Sequence, residues 1–299
     1  MSGPADVAAS TADRTRARRG VVIFLGLVIV CSAVFVTVLT VTGQTLWVYA
    51  LVWSVALSSV VARLVLREGF ADVSFRLGGP RTLYWIVVGV LYPLVVSLVA
   101  FGTAWLTGLA PFVPPPAEFM TVVLFNVGVG AVTAAFTAFA EEIGWRGYLL
   151  TRLIHAGVPR PVLVSGVIWG LWYVPLIAAG LTFADHPSML GAILVSMVWF
   201  VATGFLLARA RLETGSIWPC VIQSTMIQVA FWPEWATAGL NAVFWPGGET
   251  GGEDALIWVG REAGILVAAT MVLAALVLCR GPWTFKRAPD QSMGAPATL

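Results

Sequence analysis

Charged residues and histidines are scarce in this sequence. Lysine, arginine, aspartate and glutamate make up only 11% of its 299 residues, and it has two histidines. Soluble domains carry about 25% charged residues, so the composition excludes a water-soluble globular protein. A net charge of +2 at pH 7 is also too small for the basic face that nucleic-acid binding requires. We therefore expect no nucleic-acid partner.

Cysteine is equally rare. Cys31, Cys220 and Cys279 are the three cysteines of the chain, and each lies inside an apolar stretch far from the other two. Their odd number and wide spacing are typical of neither a disulfide framework nor a metal-binding motif. We interpret them as small apolar residues of the protein interior.

Apolar residues, in contrast, make up 59% of the sequence, and the mean hydropathy is +0.90. A membrane-spanning helix needs about 20 consecutive apolar residues, and only helices or closed barrels satisfy their backbone hydrogen bonds in lipid. Eight runs approach that length: residues 21–42, 46–66, 83–109, 120–140, 162–182, 189–207, 215–231 and 263–279. The sequence thus predicts an all-α fold, a polytopic membrane helical bundle of about eight transmembrane helices.

The basic residues predict the orientation of this bundle. With the N-terminus in the cytoplasm, 16 of the 17 lysines and arginines fall in cytoplasmic segments, as is usual for membrane proteins. We expect a multi-pass protein of the inner (plasma) membrane with both termini cytoplasmic. Residues 21–279 would form one membrane domain between two disordered tails, residues 1–20 and 280–299.

A pair of acids marks the end of the fourth apolar run. Glu141 and Glu142 lie on a side that we expect to be positive and poor in other acids, and Arg146 follows four residues after Glu142. On a continuing helix Glu142 and Arg146 share one face, whereas Glu141 points about 100° away. Two close carboxyl groups in an apolar place keep one of them protonated, which suits proton transfer. The alternative is a pair of acids at headgroup level with Arg146 as a surface partner.

Three segments of the chain carry a family resemblance. The sequence E-E-I-G-W-R-G-Y-L-L, which starts at Glu141, resembles the first motif of the CPBP family, the CAAX-processing and bacteriocin-processing intramembrane proteases. Residues 167–175 are similar to the second motif, aromatic-x-x-x-His, and residues 215–228 to the third, His-x-x-x-Asn or Asp. The resemblance covers about residues 117–231. It implies a polytopic helical fold and an endopeptidase whose glutamate activates a water at a metal-supported site, often near the prenylated C-terminus of a substrate.

The chain departs from this pattern at the histidine positions. Tyr173 and Ser224 stand where the second and third motifs have histidine, and Gln228 stands where the third has Asn or Asp. The two histidines, His155 and His186, fall in loops predicted on opposite sides of the bilayer, so they cannot share one ion. Zinc takes at least three protein ligands, and we therefore expect neither zinc nor another metal as a cofactor.

The candidate site consists of the motif residues. We predict a catalytic set of Glu141, Glu142, Arg146, Tyr173, Ser224 and Gln228. We also predict that the motif tryptophans line a substrate cavity: Trp145, Trp169, Trp172 and Trp218. Indole faces stabilise positive charge by about 0.5–2 kcal/mol each, which suits a flat or cationic apolar ligand.

The sequence leaves three functions open. The first is CAAX-type endopeptidase cleavage of a prenylated or other membrane-embedded peptide through the glutamate pair. The second is metal-free isomerisation or cyclisation of an isoprenoid-like lipid, with a protonated glutamate as the acid. The third is a non-catalytic pseudoprotease that binds a lipidated partner. All three place the protein in the lipid bilayer with a hydrophobic ligand.

Overall fold

The fold is entirely helical in the part of the chain that the computed structural model describes, residues 11–112, 119–183, 186–231, 252–259, 263–281 and 283. A π-helical turn, Trp145–Leu149, joins the fourth and fifth helices. The helices are α1 (Thr11–Thr42), α2 (Leu46–Val65), α3 (Pro80–Thr107), α4 (Phe119–Gly144), α5 (Leu150–His155), α6 (Pro161–Ala178), α7 (Met189–Thr214), α8 (Trp218–Phe231), α9 (Gly252–Val259) and α10 (Ile265–Leu278).

Each of the eight apolar runs overlaps one of these helices, so the predicted helical membrane bundle is confirmed. Among the described residues, five helices are long and apolar enough to cross a membrane: α1, α2, α3, α6 and α7. The last helix, α10, is apolar but has only 14 residues. Large apolar side chains such as Val41 and Leu106 are exposed on the outside of the bundle, where a bilayer would cover them.

The predicted N-terminal tail is partly wrong. Helix α1 begins at Thr11, so residues 11–20 are helical rather than disordered. The physical reason is that arginines of this segment dock on neighbouring loops. Arg16 donates to the carbonyl of Leu66, and Arg18 Nε donates to the carbonyl of Ala156 over 3.4 Å. Residues 1–10 and 284–299 of the predicted tails lie outside the described residues.

Small residues let the helices around the glutamates approach closely. A Cβ atom on Gly144, at the end of α4, would lie 2.9 Å from the carbonyl oxygen of Val55 in α2. A Cβ atom on Gly204 of α7 would lie 3.1 Å from the Cα atom of Gly166 in α6. Close helix contacts at small residues are common in membrane bundles, where dispersion forces drive packing. These contacts place α2, α4, α6 and α7 around a common interior.

One end of the bundle holds a network of buried ions. Arg63 Nη1 lies 2.5 Å from Asp72 Oδ1, and Arg63 Nη2 donates to the carbonyl of Gly147 over 3.0 Å. Arg152 binds Glu68 and Asp72, each at 2.8 Å. Burial lowers the pKa of Arg152, but the two carboxylates outweigh burial and hold that pKa above its ordinary value. The sequence suggested that this end of the bundle would be poor in acids. It is not, because the loop carboxylates of Glu68 and Asp72 pair with its arginines.

Candidate active site

The two glutamates occupy the last turn of α4, just before the π-helical turn. Both side chains are buried, with 4% of Glu141 and none of Glu142 exposed. A π-helical turn is rare and often occurs at functional sites. The helix continues without a break into this turn, which brings Arg146 back over Glu142.

Glu142 is held by two donors. Arg146 Nη1 lies 3.0 Å from Glu142 Oε1, as the i,i+4 spacing predicts. Ser224 Oγ, on α8, donates to the same oxygen over 2.6 Å. The guanidinium and the hydroxyl favour the charged form of this carboxyl group, whereas burial opposes it. Glu142 therefore serves as an anchor between α4 and α8.

Glu141 points in a different direction. Its Oε2 accepts a hydrogen bond of 3.2 Å from Trp169 Nε1, on α6. The side chain also lines an internal cavity, which Glu142 does not. The two adjacent acids thus divide into one that contacts an ion-pair partner and one that faces empty space.

The cavity is small, with about 40 Å³ of space for the centres of water-sized molecules, and it is partly open to the surroundings. Five helices contribute to its wall, and apolar and aromatic side chains dominate it. Glu141 is the one carboxylate among the described residues that line it. The lining residues are Val48, Leu51, Val52, Thr137, Glu141, Trp169, Trp172, Tyr173, Leu176, Trp199, Phe200, Ser224, Ile227 and Gln228.

The three residues at the altered motif positions all reach this cavity. Tyr173 stacks on Phe200, with ring centroids 4.2 Å apart and an interplanar angle of 25°. Gln228 Oε1 accepts a hydrogen bond of 2.6 Å from Thr137 Oγ1. Ser224 lines the wall while its hydroxyl donates to the second glutamate. The structure thus places Tyr173, Ser224 and Gln228 in the wall of one cavity with Glu141.

The four motif tryptophans separate into two pairs. Trp169 and Trp172 line the cavity as predicted. Trp145 is fully buried and packs edge-on against Phe24 and Trp172, outside the cavity wall. Trp218 stacks on Phe139 and donates its N–H to the carbonyl of Phe75. The predicted substrate contact of Trp145 and Trp218 therefore does not apply to this cavity.

Several wall residues were not in the predicted set. Thr137 lies one helical turn before Glu141 on α4, so its i,i+4 spacing was the signal that could have found it. Val48, Leu51 and Val52 come from α2, where no polar residue or motif distinguishes them in the sequence. Their contribution depends on the packing of α2 against α4, which the sequence alone does not specify.

One comparison with known proteins identifies the core of the chain. Residues 123–230 match the family model described as type II CAAX prenyl endopeptidase Rce1-like. The matched segment, about a third of the chain, is similar to this family. The match confirms the predicted resemblance to the CPBP and CAAX protease families, and it supports a CAAX-type, endopeptidase-like function at the family level. No curated protein matches the chain.

The Rce1-like match runs from α4 to α8 and contains most of the cavity wall. It includes both glutamates, the α6 aromatics and the polar residues of α8. The α2 part of the wall lies outside the matched residues. The Rce1-like segment therefore supplies all the polar groups of the cavity, while α2 adds an apolar side.

The donor atoms at this Rce1-like site do not fit a zinc ion. Zinc prefers histidine nitrogen, cysteine sulfur and carboxylate oxygen, in sets of at least three from the protein. Glu141 is the one such residue in the described cavity wall, and Tyr173, Ser224 and Gln228 offer neutral oxygens and an amide. Across the described ranges, no group of three or more His, Cys, Asp or Glu residues could hold a metal.

Proposed function

We propose that this chain is an intramembrane enzyme in which Glu141 is the acid–base residue and a hydrophobic, membrane-embedded molecule is the substrate. One observation carries the proposal: Glu141 faces an apolar cavity while its neighbour Glu142 is held by Arg146 and Ser224. The endopeptidase-like character of the Rce1-like family favours hydrolysis as the reaction.

Glu141 has the environment that a proton-transfer group needs. A carboxyl group that accepts an indole N–H in an apolar wall is poorly solvated, so its charged and neutral forms are closer in free energy than in water. During peptide hydrolysis Glu141 would accept a proton from the attacking water as the new C–O bond forms. It would then give this proton to the amide nitrogen as the C–N bond breaks.

The developing negative charge on the carbonyl oxygen needs a donor. Gln228 is suited to this role because Thr137 binds its amide oxygen, which leaves the amide N–H groups to face the cavity. Ser224 is less suited because its hydroxyl already donates to Glu142. A single preorganised donor contributes about 2.7–4 kcal/mol to such a reaction.

The cavity wall indicates the substrate class. Apolar side chains from α2, α6 and α8 line the cavity together with Glu141, and a hydrophobic group that entered it would bury its surface there. A prenylated peptide or an isoprenoid-like lipid has this chemistry. Either partner would reach the cavity from the bilayer.

A second candidate function, isoprenoid isomerisation or cyclisation, is favoured by the aromatic part of the wall. Five aromatic residues line the same cavity as Glu141: Trp169, Trp172, Tyr173, Trp199 and Phe200. In this reaction protonated Glu141 would donate to a carbon–carbon double bond or an epoxide. The ring faces would stabilise the resulting cation by about 0.5–2 kcal/mol each.

The test uses the full chain in lipid nanodiscs with two substrates: a prenylated peptide that ends in a CAAX sequence, and an isoprenoid lipid without a peptide. We expect Glu141→Gln to lower turnover at least about 100-fold. Glu213→Gln is the control, since Glu213 is also buried and also accepts an indole N–H, from Trp85, but pairs with two arginines and lies outside the cavity.

The outcomes separate the candidates. Peptide cleavage that depends on Glu141 supports hydrolysis, and conversion of the lipid alone supports the second candidate. Full turnover of either substrate by Glu141→Gln would contradict both. Tight binding of the prenylated peptide with no turnover of either substrate would instead indicate a pseudoprotease.

A further inference from the structure

A chain of non-covalent contacts through Trp169 and Arg146 links the two glutamates. Trp169 Nε1 donates to Glu141, and the Cζ atom of Arg146 lies 4.1 Å from the centre of the Trp169 ring. Arg146 in turn binds Glu142 at 3.0 Å. One indole therefore contacts one acid by its N–H group and the cationic partner of the other acid by its face.

We propose that Trp169 is a positioning residue that orients Glu141 toward the cavity and keeps Arg146 on Glu142. The inference rests on the proposed function of Glu141 and deepens it. The second motif then has a role beyond the cavity wall, since its aromatic residue organises both acids.

The neighbours of the indole hold it in place. Phe200 packs edge-on against Trp169, with ring centroids 4.9 Å apart and an interplanar angle of 70°. The ring centroids of Trp199 and Tyr173 lie 6.3 and 6.4 Å from that of Trp169. An indole fixed by three rings and a guanidinium cannot change rotamer without disturbing a close-packed interior. Its N–H group therefore presents a fixed donor to the carboxylate.

The guanidinium contact explains why adjacent acids behave differently. A cation over an indole face is attracted by the negative face of the ring, and more strongly when both groups are desolvated. Arg146 is 2% exposed, so this contact is sheltered from water. It keeps the positive charge beside Glu142 and leaves Glu141 with a neutral donor. Glu142 and Arg146 are the charged groups that act on Glu141.

Trp172 provides a matched comparison on the same helix. It also lines the cavity and also donates its N–H, over 2.7 Å, but the acceptor is Ser32 Oγ on α1. Replacement of either tryptophan by phenylalanine removes one N–H donor and keeps an aromatic ring. Only Trp169→Phe removes a donor from an acid.

The experiment follows the protonation of Glu141 without any substrate. Dicyclohexylcarbodiimide modifies protonated carboxyl groups in apolar surroundings, and peptide mass spectrometry measures the labelled fraction of Glu141 at each pH in nanodiscs. Loss of a donor to a carboxylate favours its protonated form, so labelling should persist to higher pH. We expect the midpoint to rise by about one pH unit in Trp169→Phe and to stay unchanged in Trp172→Phe.

A second variant guards against misfolding. Benzothienylalanine at position 169 keeps the shape of the indole and replaces its N–H by sulfur, so folding is preserved and the same rise is expected. An unchanged midpoint in both Trp169 variants would overturn the inference, as would an equal rise in Trp172→Phe.

The labelling result is independent of turnover. If Glu141→Gln keeps full activity while Trp169→Phe shifts the labelling, the proposed function fails and the contact remains. If Glu141→Gln abolishes activity while neither Trp169 variant shifts the labelling, only the positioning role fails.

Discussion

Ser224 Oγ donates a hydrogen bond of 2.6 Å to Glu142 Oε1, and this bond connects α8 to the end of α4. Glu142 has no exposed surface, so water cannot replace the lost donor. We expect Ser224→Ala to lower the free energy of unfolding by about 1–3 kcal/mol. Denaturation in mixed micelles, followed by tryptophan fluorescence, measures this free energy of unfolding. Thr225→Ala is the control because Thr225 donates only to its own helix, at Val221; an equal loss there would contradict the expectation.

The Glu142–Arg146 pair predicts a stronger effect. Arg146→Met would leave the Glu142 carboxyl group buried without its cationic partner, and breaking a buried pair in this way costs about 3–5 kcal/mol. The double variant Glu142→Gln, Arg146→Met removes both charges, so we expect it to be more stable than Arg146→Met alone. The same unfolding measurement compares the two. A double variant that is less stable than the single one would show that the pair is not the cause.

Gly144 predicts a packing effect at the α2–α4 contact. A Cβ atom there would meet the backbone oxygen of Val55, which cannot move aside as a side chain can. We expect Gly144→Ala to destabilise the protein by about 1–3 kcal/mol. Gly26→Ala in α1 is the control, since no described atom lies within 4 Å of its added Cβ. Equal unfolding free energies for the two variants would refute the close contact.

The side chains that line the cavity predict that zinc does not change the thermal stability of the protein. A ligand at 100 times its Kd stabilises a protein by about 2.7 kcal/mol, and we expect neither added zinc nor a chelator to change the thermal midpoint of the native chain. The variant Tyr173→His, Ser224→His places two histidines beside Glu141 in the same cavity. We expect zinc to raise the thermal midpoint of this variant. A zinc-dependent rise in the native chain would show that its neutral donors suffice.

The distribution of arginines predicts the orientation in the membrane. Fusions of a cytoplasm-active fluorescent protein to either terminus should be bright because positive segments stay inside. A periplasm-active phosphatase fused after Ser188, in the loop between α6 and α7, should be active. A dark C-terminal fusion would mean an odd number of spans.

Among the described helices, hydropathy predicted all but the short α5 and α9, because the length of an apolar run and the cost of unsatisfied backbone groups in lipid favour a helix. It did not predict that α1 starts at Thr11, since the arginines that extend it are stabilised by loop carbonyls distant in sequence. Composition likewise gave no sign that Glu68 and Asp72 would pair with buried arginines.

The candidate site was predictable where helical spacing determines it. The i,i+4 relation of Glu142 to Arg146 and the motif positions of Tyr173 and Gln228 led to the residues that the structure brings together. Spacing could not separate Trp169 from Trp145, because their contacts depend on which helices pack against α4. Nor could it show which glutamate faces the cavity, since this depends on donors from α6 and α8.

Arg63 constrains how the polypeptide is assembled during its synthesis. Its guanidinium has no exposed surface, and its acceptors are the carbonyl of Gly69, the carboxylate of Asp72 and the carbonyl of Gly147. A buried arginine that lacks part of its acceptors is costly, and the carbonyl of Gly147 is the one acceptor of the three that lies beyond α4. The hydrogen bonds of Arg63 are therefore complete only after α4 and the π-helical turn have been synthesised and packed against α2.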